Sequence, residues 1–429
     1  MPARLGDSRI TAVGAREVWD SRGRPTVEVS VRLANGMERR AIAPSGASTG
    51  SGEARELRDG GPRLGGFGVR IAVGAVNGPI RDALAGRDAG DMAAIDAALI
   101  ACDGTADKGR LGANALVATS MAAAHAAAAA AGVTLWRHLA GYRDIVLPLP
   151  QVQIFGGGAH AARRTEIQDC MVAAIAAGDF ARALEMAAEV YRAAGELMAE
   201  RGHRHGVADE GGHWPAFDTN EDALETLVRA IERAGFVPGQ DMAICLDLAA
   251  SQFHRDGRYR LGLDGRELDS AGLAELLLDW LDRFPIASIE DPFDESDAEG
   301  FASFTRAVGR RVQIVGDDFL VTDAARVAAA AEAGACNALL VKPNQAGTLS
   351  EAKAAFDAAR RAGWHNVVSA RSGESEDVTV AHLAVGWGAE QLKVGSLARS
   401  ERLAKWNEGL RIAESAGAAA RLAAPFAGE

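Results

Sequence analysis

Cysteine is scarce in this chain of 429 residues: Cys102, Cys170, Cys245 and Cys336 lie far apart and form no CxxC pair. That pattern excludes a disulfide scaffold and a zinc site, and predicts reduced core thiols in a cytoplasmic protein. Basic excess is missing too. Lys and Arg total 46 against 58 Asp and Glu, for a formal net charge of −12, and the basic residues are dispersed. A nucleic-acid footprint is therefore not expected. MPARLGDSRI has no apolar h-region, so no secretion leader is expected. The apolar-looking stretch near 115–133 is mostly alanine broken by Ser120 and His125, which predicts a closely packed helix and no membrane span. GGPRLGGFGV is no dinucleotide fingerprint, because no strand precedes it and no matching acid completes a βαβ unit.

Three acids do stand out. Asp247 in AICLDLAAS, Glu290 in IASIEDPF and Asp317 in VQIVGDDF each end a short apolar run that a helical pattern follows. Parallel strands of an α/β barrel deliver side chains to one face in this way. Strand-end acids often cap helices, but carboxylates gathered at one mouth repel unless a hard cation sits among them, and oxygen ligands suit Mg²⁺. Lys342 ends ALLVK and Lys393 lies in EQLKVG, so two amines reach the same rim. A metal triad facing two lysines can take a proton from carbon beside a carboxylate and hold the enolate.

The chain is long enough for a barrel and a second domain. Residues 9–43 alternate apolar and polar positions around a hairpin signal at Asn35-Gly36, and helical patterns follow over about 68–100 and 112–140. These predict an N-terminal α+β domain over 1–143. Recurring apolar runs predict a barrel over 144–429. LPLPQVQI and EIQDCMVAA are too close for a helical crossover, so they should pair antiparallel and make the barrel irregular at its start.

DSRGRPTVEV, PSGASTG, LGANA, DEGG, SIEDPF, GDD, NQAGTLSE, RSGESED and ARSERLAKWNE stand in this order along the chain. Together they resemble the blocks of enolase (phosphopyruvate hydratase) over essentially its whole length. The resemblance implies an α/β fold, an enolase-type (β/α)8 barrel with an N-terminal α+β cap. It also implies two Mg²⁺ ions, a small phosphorylated or phosphonate carboxylic acid as substrate, and a homodimer or larger homo-oligomer. Asp247, Glu290 and Asp317 match the ligands of the first ion, with Asp291 and Asp318 turned away behind them. Ser45 matches the loop serine that reaches the second ion, although a Ser/Gly-rich loop alone means only flexibility. Lys342 matches the base that acts at C2, with a pKa lowered by burial and metal charge. Lys393 matches the residue that holds the substrate carboxylate. Glu210 matches the acid that helps the C3 hydroxyl leave, its loop freed by Gly211-Gly212. Arg371 and Ser372 match the phosphate grip, and His160 a substrate-contacting histidine, where a lone histidine is otherwise more often structural.

Three departures fall inside this site. Ala370 stands where the family carries histidine in His-Arg-Ser, Asp169 follows Gln168 where Gln-Glu is usual, and Gly156 replaces an asparagine. His203, His205 and His213 are also unusual; they lack zinc spacing and are expected over the active site. A lost donor beside the phosphate favours a paralogue that makes or uses an enolpyruvyl phosphonate, as carboxyphosphonoenolpyruvate synthase does. The alternative is a housekeeping enolase that interconverts 2-phosphoglycerate and phosphoenolpyruvate. A retired binding protein would have lost ligands or base, and a sugar-acid dehydratase or muconate-type enzyme would carry a Lys-x-Lys strand, absent here.

Overall fold

The computed structural model describes residues 6–426. The expectation about a leader concerns in part residues 1–5, outside the described residues. The alternating N-terminal segment builds β1 (Ile10–Trp19), β2 (Pro25–Leu33) and β3 (Glu38–Ile42), an antiparallel sheet with β2 in the middle. The turn falls at the expected pair: Gly36 takes φ +84° and donates its N–H to the Leu33 carbonyl at 3.0 Å. The helical stretch expected over 68–100 is broken. Its first part, over 70–84, is kinked at Gly78 ahead of Pro79. Then α1 (Met92–Asp103) restarts after Asp91, whose side chain accepts from the Ala94 N–H at 3.0 Å. The stretch expected over 112–140 divides at Gly132 (φ +72°) into α2 (Ala113–Ala130) and a short helix over Leu135–Ala140. Every residue of α2 except His125 is buried. No helix among the described residues is long and apolar enough to cross a membrane.

Eight strands close a barrel: β4 (Leu149–Gly156), β5 (Asp169–Ala173), β6 (Ala243–Asp247), β7 (Ile286–Glu290), β8 (Gln313–Gly316), β9 (Ala338–Val341), β10 (His365–Ser369) and β11 (Gln391–Lys393). Their continuous apolar runs suit strands covered on both faces. As expected, β5 runs antiparallel to β4, and also to β6; the other neighbours are parallel. The reversal has a consequence for the site. Because β5 runs down from the mouth, its first residue, Asp169, sits at the rim opposite Gly156 and Asp247. After it come α3 (Phe180–Glu200) and α4 (Asn220–Arg233), capped by the Asp179 and Thr219 side chains. The 201–219 loop between them carries Glu210.

The N-terminal part lies across this rim. Ser45 and Gly373 exchange backbone hydrogen bonds of 2.8 Å in each direction. From below, α5 (Ser400–Ala416) holds the same loop. Its fully buried Arg402 donates to the carbonyls of Arg371 at 2.6 Å and Ser372 at 2.5 Å, and Lys405 donates to the Ser375 carbonyl at 2.8 Å. Arg402→Met keeps the apolar stem but leaves the Arg371 carbonyl unpaired and the Ser372 carbonyl with only the Ser21 hydroxyl at 3.3 Å. It should lower unfolding stability by about 3 kcal/mol, read from the urea midpoint of a melt.

Candidate active site at the barrel mouth

Parallel strands bring their last residues to one rim. Asp247, Glu290 and Lys393 end β6, β7 and β11, while Asp317, Lys342 and Ala370 directly follow β8, β9 and β10. Glu290 pairs with Asp247 in register. Lys393 Nζ stands 2.7 Å from Asp247, 2.8 Å from Glu290 and 3.1 Å from Asp169. Burial pulls its pKa down, but these carboxylates outweigh it and hold the amine well above the usual lysine range. Lys342 donates to Asp317. Burial lowers its pKa, yet Asp317 outweighs burial and raises it; the fall expected of this amine counted on metal charge as well.

His160, Asp169 and Glu210 meet beside Lys393, which Asp169 also touches. His160 Nδ1 lies 3.2 Å from Asp169 Oδ1, and its Nε2 lies 3.8 Å from Glu210 Oε1. Burial opposes a charge on Asp169, but Lys393 and His160 hold it well below the usual carboxylate range. Burial likewise opposes a charge on His160, whereas Glu210 and Asp169 raise its pKa. The Gly211-Gly212 pair is closely packed against its neighbours. A Cβ on Gly211 (φ +92°) would stand 2.3 Å from the Ala398 carbonyl oxygen, and one on Gly212 2.5 Å from Gln153 Oε1.

Arg371, expected in the phosphate grip, is buried and already engaged. Its Nη1 donates to Glu53 at 2.9 Å and Asn344 at 3.1 Å, and its Nη2 to the Ser48 carbonyl at 2.8 Å and Glu53 at 3.1 Å. Burial works against the guanidinium, but Glu53 raises its pKa further. Ser372 Oγ accepts from the Ala47 N–H at 2.6 Å and from Arg22 at 3.3 Å.

A cavity of about 10 Å³ joins these groups, room for roughly one water. All the expected site residues line it except Glu290, Asp317 and Ser45. The first two lie against the lysines. Ser45 is a correction: its hydroxyl donates to Glu56 at 3.1 Å and accepts from Arg22 at 3.1 Å and Arg58 at 2.9 Å. Ser48, three residues on in the same PSGASTG, faces the cavity instead. Ala370 also lines it, so the space expected from the missing imidazole is not an open pocket here. The larger cavity nearby, about 390 Å³, lies under the 44–56 loop and is lined by the Arg371 partners Glu53 and Asn344.

The acids at this rim could hold a metal. Glu290 Oε1 is buried without a hydrogen-bond partner, and burial together with Asp247 pushes that carboxyl well above its usual range. An orphaned hard oxygen beside two further carboxylates fits a divalent cation. The expected triad is nevertheless spanned by the lysine amines. Among the described residues, the groups whose ligand atoms all lie within 4.8 Å of one another are His160–Asp169–Glu210 and Asp291–Asp317–Asp318. Asp291 and Asp318 therefore crowd Asp317, where they were expected to turn away. Asp291 does act in support, accepting from the backbone N–H groups of Asp317 at 2.9 Å and Asp318 at 2.7 Å. Burial, with Asp317 alongside, pushes Asp318 up to about 8.

His213 does not face a substrate. It is buried, stacked on Tyr191 with ring centroids 4.2 Å apart, and its Nε2 lies 3.0 Å from the Tyr191 carbonyl. His203 and His205 stack on each other, 6.2 Å apart. Beyond Ser48, the side chains of Glu53, Gln153 and Gln168 also contact these groups, and no motif in the sequence marks them for that. Gln168 announces itself only by preceding Asp169; its Nε2 donates to Asp247 at 2.9 Å.

Comparison with known families agrees with this architecture. A family model described as "Enolase, N-terminal domain" matches residues 10–139, and one described as "Enolase, C-terminal TIM barrel domain" matches residues 144–428. A closed barrel with acids and lysines on one rim, under an N-terminal domain matched over nearly its whole length, makes this chain a member of the enolase family.

Proposed function

We propose that this chain is a Mg²⁺-dependent enzyme acting on a phosphoenolpyruvate-type acid, specialised to make or use an enolpyruvyl phosphonate. The observation that carries this reading is Ala370, beside Arg371 and Ser372 in sequence, on the wall of a cavity lined, apart from it and Ala47, by charged and polar groups. There the phosphorus end of a substrate finds a methyl group where the family carries an imidazole. Asp247, Glu290 and Asp317 would hold one ion and Ser48 is placed to approach a second; an ion so held would stabilise enolate charge.

The chain's own groups supply the rest. Lys342, His160 and Glu210 all line the cavity, with His160 Nε2 3.8 Å from Glu210 Oε1. A substrate among them can exchange its C2 proton with the amine while the Glu210 carboxyl serves the leaving group or the enol carbon. For Lys342 to act as a base it must first part from Asp317. Lys393 is placed to meet the substrate carboxylate. Arg371 has all four terminal N–H positions engaged, so an incoming anion must displace one of these acceptors or use the remaining Nε–H. A homodimer or larger homo-oligomer goes with this reading.

Three outcomes are expected. Glu290→Gln should weaken Mg²⁺ binding at least about tenfold in a calorimetric titration, with the thermal melt of the metal-free protein retained; equal affinity removes Glu290 from the ligand set. Lys342→Ala should slow exchange of the C2 proton into deuterated solvent by about 10²-fold, followed by NMR. Ala370→His should raise kcat/KM for 2-phosphoglycerate by about one to two decades, the worth of one charge-assisted hydrogen bond, and depress turnover of phosphonate analogues. A parent chain that already dehydrates 2-phosphoglycerate at least as fast as its histidine variant would hand the assignment to the housekeeping reading.

A further inference from the structure

Two of the three departures at this site, Asp169 and Gly156, meet at one side chain. Gln153 lies on β4, 1% exposed, with its amide held at both ends. Its Oε1 accepts from the Gly212 N–H at 2.8 Å. That fixes the amide orientation, and Nε2 then donates to Asp169 Oδ1. The same Oδ1 faces His160, and the other oxygen faces Lys393. Gly212 in turn closes the turn that bears Glu210: the Ala208 N–H donates to the Gly212 carbonyl at 2.8 Å, and the Gly211 N–H to the Ala208 carbonyl at 3.0 Å. One neutral amide thus connects a carboxylate on β5 to the turn that carries Glu210.

The space around this amide is filled. A Cβ on Gly212 would stand 2.5 Å from Gln153 Oε1, and one on Gly156 would stand 3.1 Å from that oxygen and 2.7 Å from Ala208 Cβ. Neither glycine has a positive φ. Their backbones would accept any residue; it is the neighbouring atoms that exclude a side chain.

We propose that Gln153 is a positioning residue that sets Asp169 and the Glu210 turn in one frame, and that Gly156 is glycine because the amide and Ala208 occupy its side-chain space. This rests on the reading above in which Asp169, His160 and Glu210 form one side of the site. Side-chain length is the coupling. A carboxylate one methylene longer at 169 runs into the amide, and an amide one methylene shorter at 153 falls short of the carboxylate. Made together, the two changes restore the reach.

The test compares Gln153→Asn, Gln153→Met (similar volume without the hydrogen bonds) and Asp169→Glu with the double variant Gln153→Asn/Asp169→Glu. With whichever phosphoenolpyruvate-type acid the parent turns over, each single change should lower kcat about tenfold or more with KM within about threefold. The double variant should recover at least about fivefold over either single. A Gln153→Asn variant with the parent's kcat, or a double variant that loses the product of the two singles, overturns the proposal. Hydrogen exchange at the Gly212 amide gives a readout that needs no turnover. In both Gln153 variants it should speed up about tenfold or more while β5 keeps its protection, and unchanged exchange at Gly212 overturns the assignment. If the parent turns over none of the acids, the proposed function falls, and Gly212 exchange alone decides the role of Gln153.

Discussion

Like charge buried at one rim is the constraint around which the rest of this molecule is arranged. Asp169, Asp247, Glu290, Asp291, Asp317 and Asp318 are all buried at the barrel mouth. Even at an effective dielectric of 20, two unit charges 4 Å apart interact by about 4 kcal/mol, so six anions cannot share the space bare. The chain answers in two ways. Lys393 and Lys342 place amines among Asp169, Asp247, Glu290 and Asp317. Burial and mutual repulsion also push Glu290, Asp291 and Asp318 upward, toward their neutral forms. A divalent cation answers the same need, which is why the arrangement that costs stability is also a place to hold one.

Closure over the mouth obeys the same electrostatics. Arg371 lies within reach of Asp317 and Asp318, but its hydrogen bonds go to Glu53 from the N-terminal loop and to Asn344. Glu53 also accepts from the Gly50 N–H at 3.1 Å and from Gln345 at 3.3 Å, so one carboxylate fixes the loop and satisfies the guanidinium together. A buried ion pair of this kind adds little net stability. What it adds is register: the loop that carries Ser48 is set against the residues that would meet an anion. Arg402 and Lys405 secure the other side of the 371–375 loop by its carbonyls.

Much of this was legible in the sequence because it depends on periodicity and on strand ends. Apolar runs ending in Asp247, Glu290, Asp317, Lys342 and Lys393 specify both strands and rim, and the short link before Asp169 requires the antiparallel β5. What escaped depends on three-dimensional neighbours. Ser45 and Ser48 lie in one heptapeptide, and only the fold shows that the Arg22, Arg58 and Glu56 side chains take Ser45 away from the cavity. The Lys342 pKa has its sign set by Asp317, 25 residues earlier in the chain. His213 looked like a loop histidine, but its turn folds back so that the ring stacks on Tyr191 of α3. The breaks at Gly78-Pro79 and Gly132 were visible as helix-ending residues and were overridden by the apolar pattern around them.

The three departures from the family pattern do not carry equal weight for function. Gly156 removes no catalytic group; it makes room for Gln153 and Ala208. Asp169 is shorter by one methylene, but Gln153 reaches it, and its oxygens still face His160 and Lys393. These two changes are therefore one rearrangement of packing that keeps a carboxylate in the site. Ala370 differs in kind. Its methyl group lines the cavity beside Arg371 and Ser372, and a methyl cannot donate the hydrogen bond an imidazole would. What this chain lacks against the family pattern is thus a donor at Ala370, while Lys393 keeps its contacts with Asp247 and Glu290. Under the function proposed above, the altered wall would face the phosphorus end of the substrate and the retained amine its carboxylate.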